Sequence, residues 1–223
     1  MSTGNYVRNF VVNGKSYTEA NFGEDKAKTI PFIVAIEEAV KEETVFGFTT
    51  EETMEIWLSE NNLIENHQKL HETLRRAQRN LSSEEEDEVF RIQTPVVLDA
   101  TKLFENTLKR SNIQPNEINK ITDLLTNYDP LQDRLVLGLH LWKHCNYGGS
   151  YRLIPPGTPV PDFRWIFFGD TASSALHSGS AHILFEHSWF RGRRIYFYGV
   201  LRAECFSDYP WYFNDIASSA YGI

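Results

Sequence analysis

Trp142-Lys-His-Cys-Asn-Tyr-Gly-Gly149 and Phe185-Glu-His-Ser-Trp-Phe-Arg-Gly192 can be laid one on the other. The leading aromatics are 43 positions apart, and so are the closing glycines, Gly149 and Gly192. Downstream, Gly169-Asp-Thr-Ala-Ser-Ser174 lies on Asn214-Asp-Ile-Ala-Ser-Ser219 at an offset of 45. A period of this size means one supersecondary unit used twice. Each unit needs a strand, an aromatic folded over a tight turn, and a glycine free to take positive φ. A polar loop ending in Ser-Ser completes it. Four strands per unit give two Greek keys that pair across a pseudo-twofold axis around one core.

The flanking sequence agrees. Short aromatic or β-branched runs at 135–143, 151–154, 182–186 and 195–198 are separated by Gly, Pro and Ser clusters, as in an antiparallel sandwich. Upstream the composition changes. Residues 1–134 hold 24 acids, 15 bases and 11 aromatics; residues 135–223 hold 6, 7 and 19. The net charge of −8 is therefore carried by the first segment. With Asn127-Tyr128-Asp129-Pro130 favouring a turn, this break predicts a domain boundary near residue 134.

In the first segment, Asn13-Gly14 between two apolar runs predicts a hairpin with a type I′ turn. Helical patterns follow at 31–41, 50–80, 95–109 and 115–126, with Thr49 and Glu52 placed as a capping box and Ser83 with Glu86 as another cap. Pro95 and Pro115 stand where a first helical residue is best tolerated. The expected fold class is two-domain α+β, a mostly helical domain at 1–134 and an all-β double Greek-key sandwich at 135–223.

Aromatic-x6-Gly followed by Asp-x-x-Ser-Ser, twice in about 88 residues, resembles the βγ-crystallin family. The resemblance covers residues 136–223 and leaves 1–134 unassigned. It implies the double Greek-key fold and, as in microbial and other non-lens members, two calcium sites built across both loops. Calcium takes ~6–8 oxygen ligands. By the resemblance, Ser173 or Ser218 supplies a hydroxyl and Lys143 or Glu186 a backbone carbonyl. Asp170 and Asp215 belong to the loops, and Thr171 and Ile216 hold their third positions.

The chain departs from the family pattern. Gly169 stands where Asn or Asp is usual, Ile216 offers only a carbonyl, and Tyr151 and Arg194 replace a serine two residues past each motif glycine. Affinity follows ligand charge and rigidity, so dissociation constants of ~10⁻⁴–10⁻³ M are expected, with the Thr171 position the richer.

Elsewhere the chemistry is sparse. His67 and His71 are four apart on a predicted helix, but Gln68 breaks an HExxH reading and no third ligand is evident in the sequence. His144 and His187 occupy equivalent repeat positions, which points to a fold role. Cys145 and Cys205 make no disulfide framework and suit a reducing compartment or a mature form whose leader is missing, and Cys205 is expected in the core. No P-loop, nucleophile elbow, EF-hand loop or membrane span is written in the chain, and its acidity argues against nucleic-acid binding. The start lacks a secretory h-region, so a cytoplasmic location is expected, with export by another route left open. The expected function is a non-enzymatic protein whose β module binds calcium weakly for stability. The alternative is a calcium-independent interaction or inhibitor module with a protein partner, using exposed loops, the 209–213 aromatics or Arg191, Arg193 and Arg194.

Overall fold

The computed structural model describes residues 9–80, 86–114, 117–126 and 137–223. Strands β1 (Asn9–Val12) and β2 (Lys15–Tyr17) form the expected hairpin, with Asn13 and Gly14 both at positive φ, 46° and 81°. Two single-turn helices follow, α1 (Glu19–Phe22) and α2 (Glu24–Ala27). The stretch at 31–41, expected as one helix, divides into strand β3 (Phe32–Ile36) and helix α3 (Glu37–Lys41). Phe-Ile-Val-Ala-Ile is an unbroken apolar run rich in β-branched residues, and such a run suits a strand buried on both faces. Strand β4 (Thr44–Phe48) comes next.

The helix expected over 50–80 is two, α4 (Glu51–Glu60) and α5 (Ile64–Asn80). Asn62, at φ 58°, takes the left-handed conformation that ends a helix. The N-cap is Thr50, whose hydroxyl accepts the Thr53 amide at 3.2 Å; Thr49 instead accepts from the Asn13 amide group of the hairpin at 2.8 Å. Helix α6 (Glu86–Arg110) begins well before Pro95, which lies inside it on an exposed face. Helix α7 (Ile118–Thr126) follows. Ser83, Pro115 and the turn expected at 127–130 lie outside the described residues.

The second segment supplies β5 (Gly138–His144), β6 (Gly148–Ile154), β7 (Ser174–Ser178), β8 (Ala181–His187), β9 (Arg191–Tyr198), β10 (Leu201–Ala203) and β11 (Ser219–Gly222). Four of them form one sheet in the order β10-β7-β5-β6. The other sheet repeats this arrangement as β11-β8-β9, with a single bridge from Val160 to Ala220 in the place of its fourth strand. The two sheets exchange one strand position each, which is the pseudo-twofold double Greek key expected from the repeat.

The boundary expected at 134/135 lies outside the described residues, and the described parts of the two segments share a sheet and a core. β9 pairs in parallel with β3, and the sheet continues through β4, β1 and β2 to seven strands. Phe10, Ile33 and Val45 of the first segment share one core with Leu139, Leu184, Ile195 and Phe197. Helices α4 and α5 cover the outer face of this sheet, with Leu58, Leu70 and Leu74 against Ile183, Tyr196 and Tyr198. Helices α6 and α7 cover the outer face of the other sheet, with Phe104, Leu108 and Ile121 against Trp142, Tyr151 and Leu176. The sandwich is therefore buried on both sides of both sheets. This is why β5 is apolar at consecutive positions, Leu139 and Leu141 facing inward and Trp142 outward.

An edge strand leaves a row of unpaired backbone groups that templates aggregation. β3 occupies the edge of β9. Along β6, Thr101 of α6 accepts the Leu153 amide at 3.0 Å, and its carbonyl takes the Tyr151 hydroxyl at 2.9 Å. The first segment thus pairs with the β9 edge of one sheet and caps part of the β6 edge of the other. The two cysteines, though too few for a disulfide framework, form one bridge. Cys145, in the β5–β6 turn, is disulfide-bonded to Cys205 with Cα atoms 4.6 Å apart, a normal span for such a bridge.

Candidate metal centre

Each repeat folds its aromatic over the turn as its chemistry requires. Trp142 meets Tyr147 edge-on at 5.4 Å, and Phe185 meets Phe190 in the same way at 5.5 Å. Gly149 and Gly192 have φ near 80°, and a Cβ on either would strike the imidazole of His144 or His187 at under 3 Å. The two histidines pack on the motif glycines, so their equivalence is structural.

The second serine of each loop fastens that turn. Ser174 donates to the His144 carbonyl at 2.7 Å and accepts the Tyr147 amide. Ser219 does the same with His187 and Phe190. The paired Ser-Ser ending also reads from the sequence as a loop-closing hydrogen-bond network, the alternative to a calcium loop, and the second serine of each pair makes such bonds.

The first serine of each loop sits in a cluster of oxygens. Ser173 Oγ lies 2.7 Å from the Lys143 carbonyl and 3.3 Å from Asp215 Oδ1 of the other loop. Ser218 Oγ lies 2.9 Å from the Glu186 carbonyl, 2.6 Å from Asp170 Oδ1 of the other loop and 3.1 Å from the Ile216 carbonyl. Each cluster therefore combines a hydroxyl, a carbonyl and a carboxylate, and each draws on both loops. These are hard oxygen donors of the kind calcium takes.

The Thr171 and Glu186 side chains have other partners, while Glu186 meets its cluster through its carbonyl. The Thr171 hydroxyl donates to the Phe168 carbonyl at 3.1 Å, closing its own loop. The Ser218 cluster, with the Ile216 carbonyl, gathers more oxygens. The Glu186 carboxylate stays out of the cluster and accepts the Arg193 amide at 3.0 Å.

The aromatic stretch considered as a contact surface is mostly interior. Tyr209, Trp211 and Phe213 are buried in the main core. Arg193 donates to the carbonyls of Ile30, Trp211 and Tyr212, and Arg194 lies over the rings of Phe32 and Phe185. These two arginines dock the first segment. His67 and His71, read as residues on a helix flank, are instead buried against β9.

No family model and no curated protein sequence matches the chain. Solved structures do. A βγ-crystallin from Ciona intestinalis is 20% identical over 38% of this chain and 98% of its own, with a TM-score of 0.33. A βγ-crystallin from an archaeon is 18% identical over 38% of this chain and 95% of its own, with a TM-score of 0.33. A βγ-crystallin domain from Flavobacterium johnsoniae is 23% identical over 37% and 90%, with a TM-score of 0.31.

The double Greek-key part is βγ-crystallin-like. This βγ-crystallin-like module carries both oxygen clusters, while the first segment is recognised by none of these comparisons.

Proposed function

We propose that the βγ-crystallin-like module binds calcium weakly at its two oxygen clusters and that the ion stabilises a protein without catalytic activity. The Ser218 hydroxyl carries this reading. It has one proton, yet three acceptor oxygens stand within 3.1 Å of it. One proton serves one of them well, so the cluster is short of positive charge. A cation supplies it. Each cluster holds a single carboxylate, which places the affinity at the weak, ~10⁻⁴–10⁻³ M end of calcium sites.

A ligand that binds only the folded state stabilises it by RT ln(1 + [L]/Kd), about 1.4 kcal/mol per site at tenfold excess over Kd. Melting the full chain in millimolar calcium and in chelator tests the proposal. A rise in Tm with calcium supports it, and superimposable curves overturn it. Among the described residues no helix is long and apolar enough to cross a membrane. The Cys145–Cys205 bridge favours an oxidising compartment over the expected cytoplasm.

A further inference from the structure

Away from the oxygen clusters, the turn at Asn62 returns α5 beside α4 and gathers Glu51, His67 and His71, whose ligand atoms lie within 4.8 Å of one another. The carboxylate is the third ligand that the sequence spacing alone did not disclose.

The two imidazoles are neighbours on one face of α5, with ring centroids 4.2 Å apart. Each is anchored through one nitrogen to a tyrosine of β9. His67 Nδ1 is 3.3 Å from the Tyr198 hydroxyl, and His71 Nε2 is 3.1 Å from the Tyr196 hydroxyl. With the hydroxyls accepting these N–H groups, the lone pairs fall on His67 Nε2 and His71 Nδ1. A partner on the outer nitrogen that fixes tautomer and ring orientation is the usual support of a metal-binding histidine.

The two remaining nitrogens face carboxylates of α4. His67 Nε2 is 3.7 Å from Glu55 Oε1, and His71 Nδ1 is 3.6 Å from Glu51 Oε1, both beyond hydrogen-bond reach. His67 is 1% exposed, and its Nε2 is buried with no hydrogen-bond partner among the described residues. A buried polar atom without a partner needs a reason.

We propose that Glu51, His67 and His71 form a zinc site. Two imidazoles and a carboxylate are a common zinc donor set, with water or Glu55 completing a tetrahedron. Bonds of about 2.0–2.1 Å require ligand atoms roughly 3.3 Å apart, so a span of up to 4.8 Å closes by up to about 1.5 Å. Glu51 and Glu55, half-exposed on α4, can move toward the imidazoles. Burial keeps both histidines neutral, with pKa values lowered to about 4, so zinc has little proton competition to overcome near pH 7. Arg194, 3.6 Å from Glu51, opposes a second cation and weakens the site without occupying the ring nitrogens.

Cobalt(II) is the spectroscopic probe. The full chain, stripped with chelator, is titrated with cobalt and then with zinc. The expected result is a visible d–d absorption that saturates at one equivalent and is displaced by zinc. Glu51→Gln, on an exposed position, is expected to weaken binding about tenfold or more while circular dichroism stays unchanged. The His67→Gln, His71→Gln double variant is expected to lose the absorption. No absorption in the parent chain overturns the proposal. So does absorption that survives in a folded double variant, or that Glu51→Gln leaves unaltered; the latter decides the case if the double variant does not fold. Absorption erased by millimolar calcium, or by His144→Gln with His187→Gln, also overturns it by moving the ion elsewhere.

Discussion

Ser218 Oγ stands 2.6 Å from Asp170 Oδ1, although the two residues belong to different repeat loops 48 positions apart. The counterpart contact, Ser173 to Asp215, is longer at 3.3 Å. The clusters are thus clasps between the two Greek keys, and an ion in either would hold both keys at once. Asp170→Asn and Asp215→Asn keep the loop size and remove the charge. Each is expected to shrink the calcium-induced rise in Tm, with Asp170→Asn the larger loss. Ser173→Arg and Ser218→Arg are expected to do the same by placing a cation in the cluster. Calorimetric melts with calcium and chelator measure this, and variants that respond to calcium like the parent chain refute the assignment.

Ile33 pairs with Ile195 across the β3–β9 junction, and both are fully buried in the shared core. Ile33→Ala is expected to cost about 2–5 kcal/mol, the usual cost of removing such a side chain from a core. The loss is expected across the whole chain. Urea unfolding followed by far-UV circular dichroism and by tryptophan fluorescence should give coincident transitions, shifted together in the variant. Two transitions, with the β module unmoved by Ile33→Ala, would mean that the segments fold apart.

That junction explains what the sequence could and could not disclose. The repeat was legible because each copy has the same local duty: Trp142 and Phe185 cover a turn, Gly149 and Gly192 take positive φ, and the serines fasten it. The Asn13-Gly14 hairpin was legible for the same reason. β3 was not, because its partner β9 is more than 150 residues away and a parallel pairing leaves no turn to read. Apolar spacing in 31–41 fitted a helix equally well, and tertiary pairing decided it. β7 was also hidden. Ser-Ala-Leu-His-Ser has no β-branched residue, and it is extended because β5 and β10 bond it on both sides. Glu51 could not be joined to His67 and His71 without the break at Asn62.

The Cys145–Cys205 bridge spans 60 residues and links the turn of the first Greek key to the second. A closed loop of that length is worth about 4 kcal/mol in the chain-entropy account. The unreduced protein is expected to show no reactive thiol in denaturant and two after reduction. Reduction, or Cys145→Ser with Cys205→Ser, is expected to lower the urea midpoint with little change in far-UV circular dichroism. Two titratable thiols in protein purified under oxidising conditions would rule the bridge out.

His177 and His182 make a buried chain between two backbone carbonyls. His177 Nδ1 faces Gly199 O, His177 Nε2 meets His182 Nδ1 at 3.0 Å, and His182 Nε2 meets Ile154 O at 3.1 Å. Three hydrogen bonds need three protons, and two neutral imidazoles carry two. Burial nevertheless opposes the third proton. It lowers the pKa of His177 to about 4 and holds His182 well below the usual range, with the neighbouring His177 adding to the effect on His182. An unfolded histidine titrates near ~6.5. Between that value and about 4 the unfolded chain binds protons that the folded chain refuses, so stability falls as pH falls through this window and is level above it. His177 alone is expected to cost roughly 2 kcal/mol on going from pH 7 to pH 5. Urea unfolding at pH 7, 6 and 5, in chelator, measures the slope, and a folded His177→Gln variant should show a shallower one. Equal slopes in the two proteins would show that the pair carries a proton already at neutral pH, the third hydrogen bond having outweighed burial.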